Sequence, residues 1–469
     1  MTRTRDQEIV ESSGVRRTKG KHMLGTSNDS PVCVIGGGPA GLVAARQLRL
    51  HGIPYDQFER HRDVGGIWDP DNPGSPMYRT AHLISSRFTS SCYGYPMPAD
   101  YPDYPSWRQV LDYFRSFAEF FDLRRHIRFG VEVRWVERGL DGWHVTLDDG
   151  RTLVYRAVIC ATGMTWVPNL PSYPGDFTGR TMHSVDYRDD RIFRGRRVLV
   201  VGGGNSGVDI ACDAATTADR TLWSVRRGYR VIPKHLFGIP TDAFLERGAP
   251  LPPGITLPPD PNAILDGLVG DLSRFGLPAP DHPVLTSNPI LNDRIPHHLR
   301  HGDVIGKPDI AELDGDTVVF ADGSRETVDL VLYATGYRTV LPYLADAALD
   351  WVDGHPDLYL RVFPRHTDDL YLLGYVEFAD AAYRRFDEMA QLVAMDLLLP
   401  PAGRDELRKR RAEHQVDLRA GVPYLDSPRH VPYVETHTFQ QALADLRTAF
   451  GWPALTDESF AEIARRPGV

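Results

Sequence analysis

The sequence predicts an α/β fold built from two similar Rossmann-like units and a set of C-terminal helices. Two observations support this prediction. A short apolar run, a GxGxxG turn and a helix-like segment occur twice, with the turns beginning at Gly36 and Gly202. Each unit later reaches an apolar run that ends in Ala-Thr-Gly, at 161–163 and at 334–336. Because a GxGxxG turn between a strand and a helix is typical of a dinucleotide site, the sequence predicts two dinucleotide-binding domains.

The chain length and composition are those of a multidomain globular protein. Its 469 residues are 42% hydrophobic and 25% charged, and the net charge is −9. The negative charge argues against nucleic-acid binding, and no apolar run reaches the ~18–20 residues that span a bilayer. The four cysteines, Cys33, Cys92, Cys160 and Cys212, are scattered and form no CxxC pair. We therefore expect no disulfide framework, no membrane segment and a cytoplasmic location.

The first unit opens with a predicted buried strand, Val32 to Ile35, which leads into the turn Gly36-x-Gly38-x-x-Gly41. The first glycine permits the tight turn, the second lets a pyrophosphate approach the backbone, and the third allows close packing of helix on strand. The helix that follows begins at Pro39 and Ala40, and its free N–H groups favour phosphate. These five residues are the first predicted cofactor-binding group.

An acidic residue follows the next predicted strand. This strand, Tyr55 to Phe58, ends at Glu59, which lies 23 residues after Gly36. A carboxylate at this distance can accept hydrogen bonds from the ribose hydroxyls of an adenosine. The sequence then reads Gly65-Gly66-Ile67-Trp68. We interpret Gly66, Ile67 and Trp68 as a wall for a flavin ring, while the structural alternative is a packed loop.

The second unit repeats the turn as Gly202-x-Gly204-x-x-Gly207, with Asn205 and Ser206 inside it. Counting 23 residues from Gly202 reaches Val225, so no acid stands where Glu59 stands in the first unit. The next two residues are basic, Arg226 and Arg227. Because a guanidinium pairs with phosphate, the sequence predicts that these arginines bind a 2′-phosphate. The second cofactor is therefore predicted to be NADPH rather than NADH. The alternative is a solvated arginine pair.

Four segments follow from these landmarks. We expect a disordered leader at 1–30 and a first part of the FAD domain at 31–165. The NADPH domain is predicted at 166–334, with a Pro-rich insertion at 238–290 that covers the active site. Residues 335–469 are predicted to return to the FAD domain and to add C-terminal helices. The Tyr- and Pro-rich stretch 92–108 is interpreted as a rigid surface loop, with a substrate-contacting loop as the alternative.

A motif between the two turns resembles the identifying motif of the flavin-containing monooxygenase family. It reads Phe177-x-Gly179-x-x-x-His183-x-x-x-Tyr187. The chain is similar to that family over roughly residues 31–400. The similarity includes both glycine turns, Glu59, the Gly-Gly-x-Trp segment and Ala334 to Tyr337. The resemblance implies an enzyme that binds FAD and NADPH, with Thr335 and Gly336 among the cofactor-binding residues. It further implies a flavin C4a-hydroperoxide that transfers oxygen from O₂ to a soft nucleophile of a small molecule, an amine nitrogen or a sulfur.

Two departures from the family pattern bear on the chemistry. The motif ends in Tyr187 and Arg188, which argues against the Baeyer–Villiger subclass. Where many members carry an asparagine near the flavin, this chain has Ile84, so Ser85 is the candidate contact at the flavin edge. We expect no catalytic triad or metal, because the cofactor supplies the chemistry. His183 is interpreted as a structural residue beside the NADPH domain.

Other readings remain open. The segment Asp329 to Tyr337 approximates the signature of enzymes that hydroxylate a free amino group, and Baeyer–Villiger oxygenation is a further alternative. A flavin disulfide reductase needs a redox-active cysteine pair, which is absent, and a nucleotide-binding redox sensor without turnover is the remaining class. The histidines 297, 298 and 301 lack metal-ligand spacing and supporting acids, so no metal site is expected. A homodimer is left open.

Overall fold

The computed structural model describes residues 30–248 and 250–461, with the backbone alone at Arg247. Apart from Ser30, the predicted disordered leader therefore lies outside the described residues. Within the described ranges, no helix is both long enough and apolar enough to cross a lipid bilayer.

The first sheet has five parallel strands. Their order across the sheet is Leu370–Leu372, Ala157–Cys160, Val32–Ile35, Tyr55–Glu59 and Ile127–Phe129. The central strand is the apolar run Val-Cys-Val-Ile and is buried along its whole length, as expected for a parallel strand covered on both faces. The edge strand Leu370–Leu372 comes from far along the chain, so the polypeptide returns to this sheet after building the second one.

The second sheet repeats this architecture. Its five parallel strands are ordered Arg180–His183, Leu330–Tyr333, Arg197–Val201, Arg220–Ser224 and Val304–Lys307. The strand before the second Ala-Thr-Gly segment, Leu330–Tyr333, thus lies beside the strand that leads into the second glycine turn. Both sheets therefore place an Ala-Thr-Gly segment next to their own turn.

Smaller sheets complete the β structure. A three-stranded antiparallel sheet contains Val133–Arg138, Trp143–Leu147 and Thr152–Tyr155. A four-stranded sheet contains Arg325–Thr327, Thr317–Phe320, Ile310–Gly315 and Gly175–Phe177. The two-stranded pairs are Val167–Pro168 with Tyr337–Arg338, Val231–Ile232 with Ile290–Leu291, His235–Leu236 with Ile239–Pro240, Trp351–Val352 with His355–Pro356, and Leu358–Tyr359 with Phe363–Pro364.

Nine α-helices are present in the described ranges. They are α1 (Pro39–Leu50), α2 (Trp107–Phe120), α3 (Asn205–Ala214), α4 (Thr241–Arg247), α5 (Pro261–Val269), α6 (Arg294–His301), α7 (Tyr383–Leu398), α8 (Pro401–Glu413) and α9 (Thr436–Phe450). The Tyr- and Pro-rich stretch before α2 is not a detached surface loop, because Met97 and Tyr104 are buried and Tyr95 packs against the rings of α2.

A buried ion pair ties the C-terminal region to the first glycine turn. The Arg46 guanidinium on α1 pairs with the Asp387 carboxylate on α7, and the two side chains are 1% and 0% exposed. The same guanidinium lies over the rings of Phe117, Phe121 and Phe460, and it donates to the Tyr93 carbonyl oxygen at 2.9 Å. Because a buried charge without its partner is costly, this pair fixes α7 against the helix that begins at the turn.

Candidate active site

The first glycine turn is closed by contacts that only glycine permits. Gly36 has φ +113°, and a Cβ built on it would lie 2.6 Å from the Ala161 carbonyl oxygen. A Cβ on Gly41 would lie 2.1 Å from the Gly36 carbonyl oxygen, so strand and helix touch through bare backbone. The Gln57 side chain donates to that same carbonyl at 2.8 Å. Gly38 is the N-cap residue of α1 and makes no side-chain hydrogen bond. Pro39 is the first residue of the helix.

Glu59 is buried with its carboxylate against this turn. The Gly37 N–H donates to Oε2, and the His61 N–H donates to Oε1 at 2.7 Å. Burial raises the pKa of the Glu59 carboxyl, while the two backbone hydrogen bonds act in the opposite direction. The structure thus brings Glu59 to the glycine turn, where the sequence analysis places the ribose.

The predicted flavin-wall segment lies directly on the turn. The Gly65 N–H donates to the Gly37 carbonyl oxygen at 3.0 Å. Gly66 has φ +59°, and a Cβ on it would lie 2.9 Å from the Gly38 Cα. Ile67 and Trp68 follow in the 3₁₀ helix Gly66–Trp68, and both side chains are half-buried. The segment therefore narrows the approach to the N-terminus of α1.

Ser85 lies in a loop that is fixed to the Pro-rich insertion. Its hydroxyl is 2.7 Å from the Ser90 hydroxyl. Within the same loop, the Ser86 N–H and the Thr89 hydroxyl donate to Asp242 Oδ2 at 2.7 and 2.5 Å. Asp242 is the second residue of α4, so the insertion holds the loop that carries the candidate flavin contact. The preceding Ile84 side chain is exposed.

The second glycine turn reproduces the geometry of the first. Gly202 has φ +127°, and a Cβ on it would lie 2.3 Å from the Ala334 carbonyl oxygen. The Trp223 indole N–H donates to the Gly202 carbonyl oxygen at 2.9 Å, as Gln57 does in the first turn. A Cβ on Gly204, however, would meet nothing within 4 Å. The open side of this turn is therefore the side from which a ligand can approach.

The residues around this turn are held by long-range contacts. The Asn205 amide donates to the Pro289 carbonyl oxygen at 3.0 Å, and Ser206 is half-buried one position further on. The Thr335 hydroxyl donates to the Asn169 carbonyl oxygen at 2.6 Å. His183 Nδ1 accepts from a backbone N–H, so Nε2 carries the proton and donates to the Gly336 carbonyl oxygen at 3.1 Å. Thr335 and Gly336 thus lie beside the second turn.

The two predicted arginines follow a buried valine. Val225 is 3% exposed, Arg226 is exposed and Arg227 is half-buried. The two arginines face different surroundings, since the charge of Arg226 acts on Tyr173 and that of Arg227 acts on Asp281 and His430. Both arginines stand close after the strand Arg220–Ser224, as the second and third residues beyond it.

Two acids of α3, the half-buried Asp209 and the buried Asp213, accept hydrogen bonds from residues that lie outside this helix. The Tyr78 hydroxyl donates to Asp209 at 3.1 Å, and the Thr80 hydroxyl donates to Asp213. The Tyr187 hydroxyl, from the family motif, donates to Asp213 at 3.1 Å. Burial raises the pKa of Asp209. Since α3 begins at the second turn, these bonds connect the segment after one nucleotide turn to the helix of the other.

Two residues beside the candidate site, Thr162 and Asp242, are not among the site residues predicted from the sequence. Thr162 corresponds to Thr335, and its hydroxyl lies 2.7 Å from the Tyr375 hydroxyl beside the first turn. The repeated Ala-Thr-Gly was the signal that could have found it. Asp242 gave no such signal, because its partners are more than 150 residues away.

The expectation that the histidine group lacks a supporting acid is wrong. Asp303, just after the C-terminus of α6, lies 3.1 Å from His298 Nδ1. Among the described residues, His297, His298 and Asp303 bring one ligand atom each to within 4.8 Å of one another. The missed signal is the Gly302 turn, which folds the chain back on the helix. The absence of a metal stays a prediction.

Comparison with known proteins agrees with this architecture. Residues 29–391 match the family model described as flavin-binding monooxygenase-like. The chain is 31% identical over 447 residues to flavin-containing monooxygenase 5 of Oryctolagus cuniculus, covering 88% of this chain and 82% of the relative. It is 32% identical over 363 residues to dimethylaniline monooxygenase (N-oxide-forming) 2 of Mus musculus, covering 72% and 67%. The solved S-allyl-L-cysteine S-oxygenase of Allium sativum has a TM-score of 0.65 at 21% identity, covering 93% and 92%.

The fold and the paired glycine turns define an oxidoreductase with two dinucleotide cofactors. The chain belongs to the flavin-binding monooxygenase-like family. It is a flavin-dependent monooxygenase, and its cofactors are FAD and NADPH. The predictions of family, fold class, enzyme class and cofactors are thereby confirmed.

The residues present fit these cofactors. At the first turn, the N-terminus of α1 has no side-chain cap and a carboxylate stands beside it, which suits the phosphates and ribose of a dinucleotide. At the second turn, the bare face of Gly204 leaves room for a pyrophosphate. Val225 places no carboxylate at the end of its strand, so nothing at that position repels a 2′-phosphate.

Proposed function

We propose that this monooxygenase oxygenates a soft nucleophile, an amine nitrogen or a sulfur, of a small molecule. The observation that carries the proposal is the contrast between its two glycine turns. The first has the buried carboxylate of Glu59 at its side, and the second has Val225 followed by two arginines. This contrast supports FAD at the first turn and NADPH at the second, as in an enzyme that reduces its flavin with NADPH before oxygen reacts.

The substrate class is supported by the names of relatives. Dimethylaniline monooxygenase (N-oxide-forming) 2 is named for oxidation of an amine nitrogen, and the Allium sativum protein is named for oxygenation of sulfur. Both atoms carry a lone pair that attacks an electrophilic oxygen. The end of the family motif, Tyr187 and Arg188, supports these substrates over a Baeyer–Villiger ketone.

The roles proposed for the site residues follow from their places. Glu59 accepts from the adenosine ribose of FAD, and Gly36, Gly38 and Gly41 with the start of α1 hold its pyrophosphate. Gly66, Ile67 and Trp68 form a wall of the flavin site, with Ser85 at the flavin edge. The residues proposed to hold NADPH are Gly202, Gly204, Asn205, Ser206, Gly207, Arg226, Arg227, Thr335 and Gly336.

Bound and reduced FAD would supply the oxygen-transfer chemistry, and the oxygen donor we propose is the C4a-hydroperoxide that the family resemblance implies. The protein must keep water from the flavin, because water promotes release of hydrogen peroxide. The bonds from Asp242 to the Ser85 loop support this role for the insertion. The sheet membership of Leu330–Tyr333 and Leu370–Leu372 supports the division into parts 31–165, 166–334 and 335–469.

The test is a screen of NADPH oxidation by the purified flavoprotein against tertiary amines, thioethers, primary amines and cyclic ketones. Hydrogen peroxide is measured in the same reactions, and products are identified by mass spectrometry. We expect an N-oxide or S-oxide with little peroxide for a good substrate.

Other products would replace the proposal. A hydroxylamine from a primary amine would indicate the N-hydroxylase alternative, and a lactone or ester would indicate Baeyer–Villiger oxygenation. Oxidation of NADPH with an equal yield of hydrogen peroxide for every compound would indicate a non-oxygenating flavin reductase, and no oxidation of NADPH would indicate a redox sensor without turnover. A cytoplasmic location and a homodimer stay predictions.

A further inference from the structure

The two glycine turns can be aligned residue by residue through their hydrogen bonds. The Gly36 N–H donates to the Phe58 carbonyl oxygen at 2.8 Å, and the Gly202 N–H donates to the Ser224 carbonyl oxygen at 2.9 Å. One residue earlier, Gln57 and Trp223 make equivalent bonds to the turn. One residue later, Glu59 therefore corresponds to Val225, so the second site lacks a polar side chain at that position.

A different residue covers the same side of the second turn. In the first turn, a Cβ on the middle glycine, Gly37, would meet Glu59, with its Cγ and Oε2 both at 3.1 Å. In the second turn, a Cβ on the middle glycine, Gly203, would meet the ring of Tyr229, with Cε2 at 2.1 Å. Tyr229 lies four residues beyond Val225, yet its ring reaches the place that the Glu59 carboxylate takes in the first site.

The ring of Tyr229 is held in this place by the chain around it. Gly228 packs so closely on the insertion that a Cβ would lie 2.3 Å from the Pro278 carbonyl oxygen. The Tyr229 ring also lies near the ring of His282, with ring centroids 6.2 Å apart and ring planes at 81° to each other. His282 is itself fixed, with Nδ1 2.9 Å from Asp281 Oδ1 and Nε2 3.0 Å from the Ser287 hydroxyl. These contacts therefore fix the Tyr229 ring against the second turn.

We propose that Tyr229 occupies at the second turn the position that Glu59 occupies at the first, and that its side chain forms the wall of the subsite for the adenosine 2′-phosphate. This inference rests on the proposed binding of NADPH at the second turn. A carboxylate at this place accepts from a ribose 2′-hydroxyl but repels a 2′-phosphate. A phenol is uncharged and its O–H can donate to a phosphate oxygen, so Tyr229 favours NADPH over NADH together with the arginines.

The experiment measures binding of two adenosine fragments to the FAD-loaded full chain by titration calorimetry. Adenosine 2′,5′-bisphosphate and adenosine 5′-monophosphate differ only in the 2′-phosphate. The variants are Tyr229→Phe, which removes the donor, and Tyr229→Glu, which restores the carboxylate. Tyr359→Phe, in the strand Leu358–Tyr359 that packs on the core of the first domain, is the matched control.

We expect Tyr229→Phe to raise the Kd of the bisphosphate about tenfold, the effect of one hydrogen bond to a charged group, and to leave the monophosphate unchanged. Tyr229→Glu should raise the Kd of the bisphosphate further and narrow the preference for NADPH over NADH in flavin reduction. If Tyr229→Glu fails to fold, the phenylalanine variant, which keeps the ring against Gly203, still decides the question.

Unchanged bisphosphate affinity in Tyr229→Phe would overturn the role of Tyr229 while leaving NADPH at the second turn. An equal loss of bisphosphate affinity in Tyr359→Phe would indicate a general effect of losing a tyrosine hydroxyl and would also overturn it. If the unaltered chain binds both fragments equally and is reduced equally by NADH and NADPH, the assignment of NADPH to this turn fails together with the proposal.

Discussion

Gly207 approaches Gly202 so closely that a Cβ on Gly207 would lie 2.2 Å from the Gly202 carbonyl oxygen. Gly204, between them, faces open space. One turn thus contains a glycine that the fold requires and a glycine that only a ligand would require. Substitutions at Gly207 and Gly204 therefore test the stability of the second domain and its nucleotide binding separately.

We expect Gly207→Ala to destabilise the protein by several kcal/mol, because backbone must move to admit the methyl group. We expect Gly204→Ala to keep the melting temperature within about 2 °C and to raise the KM for NADPH, because the methyl group stands where the pyrophosphate approaches. Thermal unfolding and steady-state kinetics of the two variants check this. Equal loss of stability in both would contradict the distinction.

Glu59→Gln should weaken both the first turn and its hold on FAD. The two carboxylate oxygens each accept a backbone N–H, whereas an amide would turn its NH₂ toward one of these donors. An unpaired buried donor costs about 1–3 kcal/mol, so we expect a lower melting temperature and less FAD per chain after purification. Glu413→Gln, at the exposed end of α8, is the control. Full flavin occupancy in Glu59→Gln would refute the assignment.

Local patterns predict the strands that flank the two glycine turns, the turns themselves and the missing acid at Val225, because each depends on residues within about 25 positions of one another. The contacts of Asp242 with the Ser85 loop and of Tyr229 with Gly203 were beyond such patterns. Asp242 and Tyr229 lie in or beside a Pro-rich stretch of weak periodicity, and their partners are brought to them by tertiary packing alone. The acid beside His298 is instead a local contact, five residues along the chain, and the signal for it is the glycine turn that reverses the chain after the helix.

Asp242→Ala should release the insertion from the loop that carries Ser85. The substitution leaves the Ser86 N–H without its acceptor, which costs about 1–3 kcal/mol, whereas the Thr89 hydroxyl can still donate to the Ser86 carbonyl oxygen at 3.2 Å. If Ser85 stands at the flavin edge, water gains access there, and we expect a larger share of NADPH oxidation to end as hydrogen peroxide. The measurement is the ratio of peroxide to product with a coupled substrate.

The control for Asp242 is Asp260→Ala, which removes the exposed cap of α5 in the same insertion. It should lower stability slightly and leave the peroxide ratio unchanged. The same rise in peroxide for both variants would indicate a general loosening of the insertion, and the specific role of Asp242 would be wrong.

His430 should make the stability of the protein depend on pH below neutrality. The residue is 6% exposed, its Nε2 accepts from the Asn288 N–H at 3.2 Å, and burial together with Arg429 lowers its pKa from 6.5 to about 4. Because the unfolded chain binds this proton first, the free energy of unfolding is fully retained above pH 6.5 and falls progressively down to pH 4, by about 2 kcal/mol at pH 5. Urea unfolding at pH 7.5 and pH 5 measures this loss.

The variant His430→Gln keeps an acceptor for Asn288 but cannot titrate, so its loss of stability between the two pH values should be smaller by that amount. The control His414→Gln, at an exposed position, should behave like the unaltered chain. An equal loss in the unaltered chain and in His430→Gln would show that other groups control the acid sensitivity.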